Sequence, residues 1–307
     1  MDKFQAMEVF VQVVDAGGFT RAADNMGLPK ATVSTLIQSL EAALTVKLLN
    51  RTTRRVSVTT DGAAYYERCL RILAEVRDTE ESLSRTRASP SGRLRVDVAT
   101  GLATQIIVPA LSQFFDRYPD IVLQLGCGDR PIDLIEEGVD CAVRGGNLAD
   151  STLIARRVGA IRFATVASPS YLARYGTPQH PDELVRHRCV NYFSARSGKL
   201  MDWDFTRGDE HVELSLPGPV SMNDSNAYLI AGLSGLGIIR IPSFHVPRHV
   251  ATGELVPLLQ DWTVAPVALH VVYPQNRHLS AKVRVFVEWI AELIDSHEGL
   301  RSSPRKT

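Results

Sequence analysis

Cysteine is scarce in this 307-residue chain: Cys69, Cys127, Cys141 and Cys189 lie far apart, with no C-x-x-C pair and no histidine at metal-ligand spacing. Neither a disulfide framework nor a zinc site is implied, and no cofactor is expected. Long apolar runs are also missing. The opening MDKFQAMEVFVQVVDAGG starts with an acid and is amphipathic, so it reads as neither signal peptide nor anchor. No later run is long enough to span a bilayer, so a cytoplasmic protein without a membrane partner is expected. Net charge is absent too, with 34 Lys and Arg against 34 Asp and Glu. That average by itself points to no nucleic-acid partner. It hides a local patch, however: Lys47, Arg51, Arg54 and Arg55, with no acid between Lys47 and Ser57. Signatures of catalysis are lacking as well. There is no G-x-S-x-G, H-E-x-x-H or P-loop, and the glycines of GLSGLG have the wrong spacing and precede a strand, which suits close packing between lobes.

What is present falls into three segments, as the length allows. The first, residues 1–60, is helical. Phe4, Met7, Phe10, Val11 and Val14 share one face, Gly17 and Gly18 end that helix, and Thr20 is placed to cap a short helix through Met26. Gly27 supplies a turn and Pro29 suits the start of the next helix. In that helix Val33, Ile37, Leu40 and Leu44 form an apolar stripe, while Lys30, Ala31, Ser34, Thr35 and Gln38 share the other side. Small polar residues can approach a flat polar surface such as the major groove. Lys and Gln can pair with base edges, Ser and Thr (Thr32 among them) can reach bases or phosphates, and a methyl can touch thymine. A merely solvated helix face is the alternative.

The second segment, residues 61–87, has no Gly or Pro after Gly62. Tyr65, Cys69, Ile72, Val76, Thr79 and Leu83 recur at spacings of four and three, a heptad seam that predicts pairing with a second copy, or else packing on the chain's own C-terminal part. Residues 88–92, ASPSG, read as a hinge. The third segment, 93–307, alternates strand-like and helix-like stretches (RLRVDVAT, FFDRYPD, IVLQLGCG, IDLIEEG, VDCAVRGG), which predicts a mainly parallel sheet. A more irregular middle precedes VALHVVYP and a helix with Val283, Phe286, Val287, Ile290 and Ile294. These two elements return to the first lobe. Lobe one is therefore placed at about 93–160 and 267–296, lobe two at about 161–266, with a cleft between them.

The stretch FTRAADNMGLPKATVSTLIQSLEAALTVKLLNRTTRRVSVTTDG resembles the winged helix-turn-helix of LysR-type transcriptional regulators, with Ser34, LE, LLNR and TTDG all in register. The position after Ser34 holds Thr35, where relatives often carry arginine. The resemblance implies an α/β protein with an N-terminal winged helix-turn-helix, a long dimerisation helix, and a two-lobed, periplasmic-binding-protein-like effector domain. It implies DNA contacts from Lys30, Ala31, Thr32, Ser34, Thr35 and Gln38 and from Arg51, Thr52 and Arg54 of the wing. Double-stranded promoter DNA, a small-molecule effector and a homodimeric or homotetrameric partner follow. The rival is a small-molecule binding protein or enzyme whose N-terminal helices serve only assembly.

For the effector, strand ends nominate Thr100, Gly101 and Leu102 in lobe one and Asn223 and Ser225 in lobe two. Both groups open a helix, where free amides and the helix dipole favour an anion. Arg144 is either a counter-cation for a carboxylate or part of a structural ion pair. In relatives the matching loops hold small, often acidic, effectors. Cys127 ends a strand beside the same cleft, where it is either a packing residue or a redox sensor of the kind some LysR-type proteins use.

Overall fold

The structure, a computed structural model, describes residues 2–51, 56–83, 90–146, 153–216, 218–275 and 279–302, with only the backbone of residues 51, 75 and 77–83. The chain divides into two compact units, Met1–Ala88 and Ser89–Thr307.

The first unit starts with α1 (Lys3–Asp15), whose N-terminus is capped by the Asp2 carboxylate accepting from the N–H groups of Phe4 and Gln5. Its buried side is Ala6, Val9, Phe10, Val11 and Val13, whereas Phe4 is 50% exposed. The apolar face is thus rotated from the expected one toward smaller residues, which let α1 lie close to its neighbours. Helix α2 (Phe19–Met26) begins directly behind Gly18, so Thr20 lies inside its first turn instead of capping it. Gly27, at φ +63°, ends α2 in the left-handed region, and Pro29 precedes α3 (Lys30–Leu44).

Strands β1 (Leu49–Arg51) and β2 (Val56–Val58) form an antiparallel pair. The Glu41 carboxylate accepts from the N–H groups of Leu48 (2.9 Å) and Leu49 (3.1 Å), fastening α3 to the start of this wing. The Thr59 hydroxyl donates to the Lys47 carbonyl (2.7 Å) and accepts from the Gly62 N–H (2.9 Å), which caps α4 (Thr60–Leu83). Gly62 is needed for close approach, because a Cβ there would lie 2.0 Å from the Leu48 carbonyl oxygen.

The expected heptad seam on α4 divides. Cys69 is fully buried in the core of its own unit together with Leu73, and Tyr65 packs on the Phe10 ring at 5.7 Å. Cys69 is therefore occupied within its own unit, and Tyr65 is half-buried against Phe10 of α1. Burial pushes the Cys69 thiol up to about 11. Ile72 is 38% exposed and Val76 half-buried, so the part of the seam still open lies further along the helix. The Leu83 side chain lies outside the described residues.

The second unit runs through β3 (Gly92–Val98), then a continuous helical stretch made of α5 (Thr100–Leu102), a π-helical turn (Ala103–Ile107) and α6 (Val108–Arg117). Strands β4 (Ile121–Cys127), β5 (Cys141–Gly145) and β6 (Leu153–Ile161) follow. Between β4 and β5, IDLIEEG forms turns instead of the expected helix, with the Asp133 carboxylate accepting from the N–H groups of Ile135 and Glu136.

Lobe two holds β7 (Phe163–Ala167), α7 (Pro169–Tyr175), β8 (Asn191–Tyr192), the hairpin of β9 (Trp203–Arg207) and β10 (Glu210–Leu214), and β11 (Ser221–Met222). It continues with α8 (Ser225–Leu233), β12 (Ile239–Pro242), α9 (Val246–Ala251) and β13 (Val256–Leu258). The chain then returns through β14 (Val267–Pro274) and α10 (Ala281–Ser296).

Lobe one is a five-stranded sheet in the order β4-β3-β5-β14-β6. Its β4, β3 and β5 are parallel, as the alternating pattern predicts, but β14 runs antiparallel to both β5 and β6. Helix α10 buries Val283, Phe286, Val287, Ile290 and Ile294 in the same core as Leu94, Val96 and Phe114. Lobe two is centred on a three-stranded sheet, β12-β7-β13. Two crossings, β6 into β7 and β13 into β14, carry the chain between the lobes, leaving a cleft at the C-terminal ends of β3, β4 and β5.

Candidate functional site

Two surfaces carry chemistry. On α3, Val33, Ile37 and Leu40 are fully buried, and this fixes which side is left free: Lys30, Ala31, Thr32, Thr35 and Gln38 are exposed and Ser34 is half-buried. The Thr35 hydroxyl donates to the Ala31 carbonyl (2.9 Å), so its proton is spent on its own helix and it is left as an acceptor. Arg51 lies in β1, while its side chain, Thr52 and Arg54 lie outside the described residues.

The second surface is the cleft of the other unit, a cavity of about 1040 Å³ walled by Ile161, Phe163, Trp203 and Phe244 among others. At its floor a carboxylate does what a bound anion was expected to do. Asp129, in the loop after β4, accepts from the Thr100 N–H through Oδ1 (2.8 Å) and from the Ser225 N–H through Oδ2 (2.7 Å). One protein side chain therefore satisfies the first turn of a helix in each lobe. The Tyr192 hydroxyl faces the same Oδ2 (3.2 Å) and the Asn223 carbonyl (3.0 Å), with one proton to share between them. Burial, reinforced by the Asp129 charge, holds that phenol well above its ordinary range, so it stays protonated.

The residues nominated from the sequence are thus only partly brought together. Gly101, Leu102 and Ser225 line the cavity. Thr100 contributes its backbone N–H, and the exposed Asn223 contributes a carbonyl to Tyr192, but neither side chain is part of the wall. The cap of α8 is Asp224, which accepts from the Ala227 N–H (2.8 Å). Arg144 is not a free counter-cation. It forms a buried ion pair with Asp97 and donates to the Gly128 carbonyl (2.6 Å) and, at 3.4 Å, to that of Arg130. The two helix starts and Arg144, the groups expected to hold an anionic effector, therefore already have partners within the chain.

Three residues of the cleft escape the sequence pattern. Asp129 and Tyr192 are two, and the third is His245, which ends a short 3-10 turn after β12. The His245 imidazole is 2% exposed and lines the cavity, and among the described residues it has no hydrogen-bond partner on either ring nitrogen; the Ser225 hydroxyl is likewise buried and unpartnered there. Burial lowers His245 to about 4, against the pull of Asp129, so the ring is neutral. Gly101 allows these groups to converge, since a Cβ there would lie 2.4 Å from His245 Nε2 and 3.0 Å from Ser225 Oγ. An acid directly after a strand end was the one available signal for Asp129; His245 gave none.

Cys127 is a free, exposed thiol at the end of β4. Partial burial and then the Asp97 charge push it upward, away from the thiolate that a redox sensor uses. Among the described residues no His, Cys, Asp and Glu cluster suits a metal ion, and no helix is long and apolar enough to cross a membrane.

Comparison with known proteins connects the two surfaces. Residues 4–63 match the bacterial regulatory helix-turn-helix of the lysR family, and residues 87–295 match the LysR substrate binding domain. An HTH-type transcriptional repressor of Pseudomonas aeruginosa is 42% identical over 99% of this chain and 96% of its own length. The solved structure of CrgA, a LysR-type transcriptional regulator from Neisseria meningitidis, is 36% identical with a TM-score of 0.60, covering 94% of this chain and 97% of that one. The full-length virulence activator AphB of Vibrio cholerae is 29% identical with a TM-score of 0.58, over 95% and 99%. The α3 face is the helix-turn-helix surface and the cleft belongs to the substrate-binding domain: the chain belongs to the LysR family of transcriptional regulators.

Proposed function

We propose that this regulator binds promoter DNA in the cytoplasm as a homodimer or homotetramer, reading sequence with α3, and that a small molecule seated between the lobes modulates it. The single observation that supports DNA reading best is the division of α3. Its apolar stripe is used up inside the unit, while Lys30, Ala31, Thr32, Thr35 and Gln38 stand free with Ser34 half-exposed among them. Such a set is compact enough to enter the major groove and offers donors, acceptors and a methyl there. Arg51, Thr52 and Arg54 of the wing are assigned to phosphates, a contact that positions the protein without reading bases. The open stretch of α4 with Ile72 and Val76 is assigned to the pairing of two copies.

The effector reading rests on the cavity between the lobes and on the two unpartnered polar groups in its wall, Ser225 Oγ and His245. A ligand favouring one spacing of the lobes shifts the protein toward it by its differential affinity. Fluorescence anisotropy with DNA from upstream of the regulated gene tests the DNA claim. Saturable, sequence-selective binding that weakens with salt is expected, and no binding at low salt would sink it.

A further inference from the structure

A carboxylate that receives one backbone N–H from each lobe and faces a tyrosine hydroxyl sits where an anionic ligand would sit. Here that carboxylate belongs to the protein. Asp129 lies in a loop of lobe one, and its partners Ser225 and Tyr192 belong to lobe two, so the contact is also a clasp across the cleft. We propose that Asp129 is a built-in occupant of the anion seat: it holds the lobes together without a ligand, and the effector of this regulator brings no carboxylate to that position.

The clasp is supported from several sides. Among the described residues Asp129 has no ion pair with a side chain, and its bonds instead go to the two backbone amides, with the phenol beside Oδ2. A second carboxylate would meet the charge of Asp129 at close range and would compete with a group tethered beside the seat, whose local concentration no free solute matches. Of the arginines that line the cavity, Arg144 is engaged by Asp97 and two backbone carbonyls, and Arg240 is paired with Asp204. The polar groups still without partners next to the seat, Ser225 Oγ and the His245 ring, form a donor and acceptor set in the cavity wall. That set fits an uncharged polar group on an apolar body resting against Phe163, Trp203 and Phe244.

This inference deepens the effector reading above and rests on it only in assigning the ligand of the cleft. It is tested on the full-length chain without DNA, so its failure is separable from failure of the DNA reading. Asp129→Ala removes the occupant and Asp129→Asn keeps one acceptor oxygen, which gives a second variant should the first not fold. Thermal unfolding is recorded in sodium formate or acetate against sodium chloride of equal ionic strength. The expected result is a lower melting temperature for the variant, recovered by formate or acetate, with no such response in the wild type. Equal responses in both proteins would show that small anions bind without displacing Asp129, and no response in either would show that the seat has no use for an anion. Each of those two results overturns the proposal.

Discussion

Asp97 on β3 and Arg144 on β5 face one another across neighbouring strands as a buried ion pair, with the Arg144 guanidinium also held by the Gly128 carbonyl. Burial pushes the Asp97 carboxyl up and the arginine opposes it. Arg144→Ala would leave Asp97 buried and uncompensated, at a cost of about 3 kcal/mol in the stability of the effector-binding unit. Replacing both partners by apolar residues, Asp97→Leu with Arg144→Met, should cost less. Denaturant unfolding checks this; a neutral Arg144→Ala would return the arginine to the pool of residues available to a ligand.

Close approach governs the junction between the wing and α4. In Gly62→Ala the new methyl meets the Leu48 carbonyl at 2.0 Å, so backbone must shift. A loss of about 2 kcal/mol is expected from overpacking of this kind, against about 1 kcal/mol for Thr59→Ala, which removes the cap and the hydroxyl's bond to the Lys47 carbonyl but strains no backbone. Thermal unfolding of the two variants should rank them in that order.

Acid should weaken the effector-binding unit through His245. The folded protein keeps this ring neutral down to about 4, whereas the unfolded chain protonates it near the ordinary value of 6.5. Between those values the unfolded state binds more protons, so stability falls as pH drops through that window, by up to about 3 kcal/mol for this one group. Unfolding measured from pH 7 to pH 4 should be less steep in His245→Asn. A variant with the wild-type slope would remove His245 as the cause.

On DNA, Lys30→Ala and Gln38→Ala should lower discrimination between operator and random sequence by about 1–3 kcal/mol each. Arg54→Ala should weaken both about equally and reduce the salt slope by about one. Anisotropy titrations over a salt series separate the two behaviours, and the roles fail if Arg54→Ala alone changes sequence preference.

Among the described side chains of α4, Ile72 is the large apolar one that is exposed. Ile72→Asp puts a charge on the face assigned to pairing, and leaving that charge in water by dissociation is easier than burying it. Sedimentation should give smaller species with weaker operator binding. Cys69→Ser, by contrast, acts inside one unit and should alter stability without altering assembly.

The sequence by itself determined the elements and their amphipathic sides: the split of α3 into a stripe of Val33, Ile37 and Leu40 and a polar face, the turn at Gly27, the α10 stripe, and the helix starts near Thr100 and Ser225. All of these are set by neighbours within a turn or two, so periodicity and capping rules reach them. Spacings of four and three on α4 said that Tyr65 and Cys69 face a packed surface, but not which one, because a seam against α1 and a seam against a second copy obey the same period. Only the tertiary structure decided the partners of charge. Arg144 meets Asp97 from 47 residues away, and Asp129 reaches Thr100 and Ser225 across 29 and 96 residues. A carboxylate goes to whichever unsatisfied amides or cations the folded chain brings within hydrogen-bond distance, and that distance is fixed by strand order and lobe packing, which no local pattern encodes.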